Sequence, residues 1–201
     1  MDDSRAQKRG GQIGPLGHYW FLTFEYSSEL HNLVKECQEA IDVRYFYPVP
    51  PDGLHLTLDR IMYAGQSTPA ELDVIATAAR SACTDLAPFT VTIDQLKNLR
   101  GAMGFEVGPV QRVHALRNRL RAATLSVFPE APVKRSSSNP HVTVAYPVGD
   151  RLSDRAVSAA ETINATLRSV DVTVTEAVLV ALERHQHRYS WTVVDRVPLV
   201  G

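Results

Sequence analysis

The chain has 201 residues, 44% of them hydrophobic, with 21 Lys and Arg against 22 Asp and Glu, a formal net charge of −1 and a pI near 6.7. That is enough apolar material for one full core, or for two tightly joined lobes, and it excludes disorder beyond the ends. The charge balance excludes attachment to nucleic acid by bulk phosphate neutralisation, and no apolar run approaches the roughly 18 residues of a membrane span.

Residues 1–17 scatter Gly10, Gly11, Gly14, Pro15 and Gly17 among charges without apolar periodicity, so a flexible N-terminal tail is expected there, followed by a single domain over 18–201. HYWFLTFEY at 18–26 reads as a strand. Residues 28–40 place Leu30, Leu33, Val34 and Cys37 at helical spacing. After the turn-rich PVPPDG comes the strand LHLTLDRIM. The next helix has a well-marked start: Thr68 is the N-cap, Pro69 the first helical residue and Glu71 the partner of a capping box. Its buried stripe is Leu72, Ile75, Ala76, Ala79 and Leu86, and a strand at 88–97 follows. The second half repeats the order: strand 103–107, helix 110–127, strand 140–146, helix 153–169 and strand 171–183, with a last strand at 188–197.

Helix starts at 28 and 69 recur at 110 and 153, shifts of 82 and 84 residues, which suggests an internally duplicated fold with lobes of roughly 18–100 and 101–201 that exchange strands. Cys37 and Cys83 fall on apolar helix faces, lack a Cys-x-x-Cys spacing and are expected to be reduced core residues. The absence of an apolar leader sets a cytoplasmic, monomeric protein as the expectation.

Two strands carry polar residues where apolar ones would serve. LHLTLDR at 54–60 and PHVTVAY at 140–146 each place a histidine and a threonine two residues apart, 86 residues from one copy to the other. Strand alternation sends His55 and Thr57 to one side and Leu56 to the other, and likewise His141 and Thr143 against Val142. Seven His and fourteen Thr in 201 residues make about 0.1 chance occurrences of such a His-hydrophobic-Thr-hydrophobic run, so two in matching slots are not accidental.

This paired motif resembles the 2H phosphoesterase family, which includes bacterial 2′-5′ RNA ligase-like proteins and 2′,3′-cyclic nucleotide phosphodiesterases. The resemblance extends over most of 18–197. It implies an α+β, two-lobed pseudo-twofold fold whose antiparallel sheets form a central cleft with helices packed outside. It also implies His55 and His141 as the acid and base pair, Thr57 and Thr143 as phosphate-binding residues, and neither metal nor cofactor. The expected activity is hydrolysis of 2′,3′-cyclic phosphates on nucleotides or RNA ends, with 2′-5′ ligation as its reverse. Alternatives are an ADP-ribose cyclic phosphate or another small phosphodiester as substrate, or a non-catalytic module that binds nucleotides or RNA ends.

The chemistry suits the residues. Opening a cyclic phosphate requires one group to take a proton from water and another to give one to the departing ribose oxygen, and histidine holds either state near neutral pH. Threonine hydroxyls donate to non-bridging oxygens. The two histidines lack the further His, Cys, Asp or Glu that a zinc site requires. Many RNA-ligase-like members carry a basic residue soon after the second motif, where this chain has Ala145 and Tyr146. By alternation Asp59 shares the face of His55 and Thr57, where it would orient a histidine or lie beyond the cleft.

Further candidates for substrate binding are Tyr19, Lys134, Arg135 and Tyr146, with Tyr19, Trp20 or Phe21 able to stack on a base. His185 and His187 read as a hairpin turn whose Arg184 and Arg188 could edge a site. Arg112, Arg117, Arg119 and Arg121 read as the solvated face of helix 110–127.

Overall fold

Apolar stripes on four helices are buried against two antiparallel sheets, in a computed structural model that describes residues 13–99, 102–133, 139–149, 153–186 and 188–201. In chain order the elements are β1 (Gly14–Thr23), α1 (Ser28–Glu39), β2 (Phe46–Pro48), a 3-10 turn (Pro51–Gly53), β3 (His55–Tyr63), α2 (Pro69–Cys83), β4 (Phe89–Leu99), β5 (Ala102–Gly108), α3 (Val110–Val127), β6 (His141–Pro147), α4 (Ser153–Asn164), β7 (Val170–Val174), β8 (Glu176–Arg184) and β9 (Tyr189–Pro198). The fold is α+β. Strand β1 takes in Gly14 to Gly17, which the sequence had suggested as tail, and the short β2 had no strand signature. The single strand expected at 171–183 is two, β7 and β8, divided at Thr175 and placed in different sheets.

The first sheet runs β3-β1-β8-β9 and the second β2-β6-β5-β4-β7. Within these orders, β3-β1-β8 matches β6-β5-β4. In each triplet the motif strand pairs with the opening strand of its own half, which pairs in turn with a late strand of the other half. That is the pattern of a duplicated unit with its closing strands exchanged, so neither sheet corresponds to one half of the sequence.

The main core lies between the sheets and the helices: Trp20, Leu22, Leu56 and Leu58 from the first sheet, and Phe105, Val142 and Val144 from the second, meet the stripes of the helices. Cys37 and Cys83 are free and buried there. Helix α2 begins as its sequence specifies, with the Glu71 amide donating to the Thr68 hydroxyl at 3.3 Å and the Thr68 amide donating to the Glu71 carboxylate at 2.7 Å. A smaller apolar cluster of Tyr19, Phe21, Val178, Val180 and Leu182 covers the opposite face of the first sheet.

Two contacts hold β6 in place. Gln38 on α1 donates through Nε2 to the carbonyls of Val49 (2.8 Å) and Val144 (2.9 Å), tying the strand to the segment after β2. Gly104 of β5 lies opposite Thr143, and a Cβ there would fall 2.6 Å from the Val142 carbonyl oxygen and against the Leu99 side chain. Because strand backbone cannot yield as a side-chain tip can, Gly104→Ala is expected to destabilise the fold by about 1–3 kcal/mol, seen as a lowered denaturant midpoint. Gly149→Ala, whose Cβ would meet nothing within 4 Å, should change stability by less than about 0.5 kcal/mol.

Candidate functional site

His55 opens β3 and His141 opens β6, and the same local device sets both rings. In each, Nδ1 lies 2.9 Å from the carbonyl oxygen two residues upstream, Gly53 for His55 and Asn139 for His141. A carbonyl only accepts, so Nδ1 carries the donated hydrogen and Nε2 is left as the titrating nitrogen. The residues between, Leu56 and Val142, are 1% and 0% exposed and anchor the strands in the core.

Both strands then break their alternation at the same place. On β3, Thr57 pairs with Phe21 but Asp59 pairs with Trp20, leaving Leu58 as an extra residue. On β6, Thr143 pairs with Gly104 but Ala145 pairs with Met103, leaving Val144 extra. Each bulge reverses the faces that follow. Asp59 therefore leaves the face of His55 and Thr57, correcting the expectation from simple alternation, and borders the cleft only from the helix side. It faces helix α3, where Arg121 Nε donates to its carboxylate at 2.7 Å, while neighbouring Trp20 donates to Thr124 at 3.1 Å. Arg60 takes the cleft face instead. Ala145 likewise turns inward, and Tyr146 turns to the cleft.

His55, Thr57, His141 and Thr143 line one cleft of about 540 Å³ between the sheets, together with Tyr19 and Tyr146. Lys134 and Arg135 lie outside the described residues, as does His187. His185 forms the expected hairpin: its amide donates to the Arg188 carbonyl, and its ring meets the Ser190 hydroxyl at 2.7 Å. Of the three early aromatics, Trp20 is a core residue and Tyr19 and Phe21 face the cleft side. Arg184 lines the cleft over the Tyr189 ring. Arg117 and Arg121 also reach the cleft, contrary to the reading of their helix face as solvated; Arg119 pairs with Asp85 at its surface.

The two histidines sit in unlike surroundings. Phe21 stacks on His55 at 4.3 Å and 18° between planes, and Trp191 meets it edge-on at 5.1 Å. Burial, reinforced slightly by His141 and opposed by the Gly53 carbonyl, lowers the His55 pKa to about 4. His141 stands opposite Glu106 on β5. Glu106 takes a 2.5 Å hydrogen bond from Lys97 and another from Asn139, and the Lys97 contact above all holds its carboxyl below the ordinary value. Tyr146 shares a hydrogen bond with Thr143, and burial raises its hydroxyl pKa, so it remains a donor. The Tyr19 hydroxyl accepts from Arg60 Nε at 2.6 Å. Sequence reading missed Arg60, Trp191 and Tyr189. Arg60 becomes visible only if a bulge is placed after Thr57, and the aromatic pair only if β9 is known to lie two strands from β1. Among the described residues, no group of three or more His, Cys, Asp or Glu could hold a metal ion.

Residues 26–186 match the family model of the 2′-5′ RNA ligase superfamily, and the chain belongs to that family of 2H phosphoesterases. No protein of curated function matches the sequence. The fold is similar to the crystal structure of TT0787 from Thermus thermophilus, at 19% identity and a TM-score of 0.69 over 92% of this chain and 98% of that one. It is also similar to LigT from E. coli in its apo form, at 18% identity and a TM-score of 0.66 over 94% and 99% of the two chains. Another LigT crystal holds 3′-AMP, with a TM-score of 0.64 at 18% identity over 93% and 99%.

The shift at His55 has a consequence for stability. With the folded value near 4 and the unfolded value near 6.5, the unfolded chain binds the extra proton between them, so stability is complete above pH 6.5 and falls as pH drops toward 4. This contribution is at most about 3 kcal/mol. The stability difference between the parent and His55→Gln, measured by urea unfolding, should therefore move against the parent as pH is lowered from 7.5 to 4.

Proposed function

We propose that this chain is a metal-independent cyclic phosphodiesterase that hydrolyses 2′,3′-cyclic phosphates of nucleotides or RNA ends, working as a monomer in the cytoplasm and capable of the reverse 2′-5′ ligation. The carrying observation is that both His-x-Thr strands line one cleft with each imidazole held at Nδ1 by the carbonyl two residues upstream. Membership of the 2′-5′ RNA ligase superfamily supports the reaction class, and the 3′-AMP held by E. coli LigT supports a nucleotide ligand. Among the described residues, no helix is long and apolar enough to cross a membrane.

The cyclic phosphate sits between the strands, its non-bridging oxygens accepting from Thr57 and Thr143. Unlike surroundings divide the histidine roles. His55, whose burial opposes a positive charge, is the neutral base that takes a proton from water through Nε2. His141, opposite Glu106 on β5, is the acid that gives a proton to the departing ribose 2′- or 3′-oxygen. Water adds to phosphorus as the ring P–O bond breaks, and the pair ends with its protonation exchanged, ready for the reverse reaction. The hydroxyls and the imidazolium meet the negative charge that builds on the phosphoryl oxygens.

Hydrolysis of 2′,3′-cyclic AMP in the presence of chelator tests this. His55→Ala and His141→Ala should each lower kcat/KM by roughly a hundredfold or more, and Thr57→Ala or Thr143→Ala by about tenfold to a hundredfold. Activity surviving both histidine substitutions would falsify the assignment. The acidic limb of the kcat/KM profile reports the base in the free enzyme, so with the His55 pKa near 4 it should fall well below the ordinary histidine value of 6.5.

A further inference from the structure

The cleft is cationic although the chain is not. Among the described residues four arginines line it, Arg60, Arg117, Arg121 and Arg184, against the single carboxylate of Asp59. Three of the four are engaged. Arg60 donates to the Tyr19 hydroxyl, Arg184 lies over the Tyr189 ring at 5.8 Å, and Arg121 is paired with Asp59, which is itself only 3% exposed. Arg117 is different: it is half-buried and its enclosed Nε has no hydrogen-bond partner among the described residues, and although Arg121 Nη2 shares that lack, Arg121 has the Asp59 ion pair that Arg117 does not.

An enclosed guanidinium donor without an acceptor costs free energy, and no carboxylate pairs with the charge of Arg117 among the described residues. Helix geometry worsens the position, because Arg117 and Arg121 are one turn apart on α3 and repel each other. Burial first, and Arg121 second, pull the Arg117 pKa below its usual value, while Asp59 offsets them only in part. An anion at this margin of the cleft would accept from the outer Nη edge of the guanidinium, which the cleft leaves open, and neutralise the excess charge. A guanidinium's planar fork matches phosphate oxygens. The cyclic phosphate is already met by the two histidines and the two threonines, so an anion at Arg117 is a different group.

We propose that Arg117, backed by the Arg121–Asp59 pair, forms a second phosphate subsite, so that the preferred substrates carry another phosphate besides the cyclic one. This deepens the reading of the cleft as a nucleotide phosphoesterase site and rests on it. The second phosphate is the 5′-phosphate of a mononucleotide or the internucleotide phosphate of an RNA end, groups that present the same oxygens to Arg117.

Calorimetric titration of the full chain with product-like ligands tests this without turnover. The parent is expected to bind adenosine 3′,5′-bisphosphate, or the dinucleotide ApAp, about tenfold or more tightly than 3′-AMP, the fold-change that a charge-assisted contact carries. The ligand with the greater advantage identifies the source of the second phosphate. Arg117→Met should abolish the advantage while changing 3′-AMP affinity less than twofold. Arg117→Lys, which keeps the charge without the fork, should retain part of it, and carries the test if the methionine variant does not fold. Equal losses for both ligands, no preference in the parent, or no binding of either ligand overturns the proposal. An Arg117-dependent preference in a chain that hydrolyses no cyclic nucleotide would leave the subsite standing and remove the hydrolytic reading, and hydrolysis without the preference would do the reverse.

Discussion

Leu56 and Val142 are 1% and 0% exposed, and the cleft depends on them. A strand places alternate residues on opposite faces, so burying these two, with Leu58 and Val144, commits His55, Thr57, His141 and Thr143 to the other side. A one-residue slip would expose all four apolar side chains, at a cost of roughly 6 to 12 kcal/mol. That is comparable to the whole net stability of a domain. The register of the polar residues thus follows from the core and needs no separate device.

What the core does not dictate is the direction after each threonine. The extra residues Leu58 and Val144 occupy matching places in the two halves, 86 residues apart like the histidines, and each turns the following residue inward and the next one outward. Both residues are buried, so each bulge adds to the core while re-aiming the strand. The consequence is unequal. On the first strand an arginine reaches the cleft, on the second a tyrosine, so the duplicated frame presents a cation on one side and a hydroxyl donor on the other.

Local signals carried much of this in the sequence. The capping box of α2, the apolar stripes, the reduced cysteines and the twin His-x-Thr strands each depend on residues within a few positions of one another, and each was legible. Features set by distant partners were not. Asp59 is read wrongly by alternation because its face is decided by which residues of β1 it meets. Arg117 and Arg121 look like a solvated helix face because nothing local says that α3 passes beneath the cleft. The division at Thr175 was hidden for the same reason: 170–184 is apolar enough to be one strand, and only the exchange of strands between halves sends its two parts to different sheets.

The same contrast between local and distant bears on charge. A chain with a net charge of −1 has no long-range attraction for a polyanion, yet among the described residues one of its clefts gathers four arginines around a single carboxylate. In a cleft with low-dielectric walls that local excess is felt more strongly than it would be at an open surface. It acts where the ligand ends up rather than along its approach. Burial of His55 against Phe21 and Trp191 works against a positive charge at that ring, while the arginines supply one at the margins.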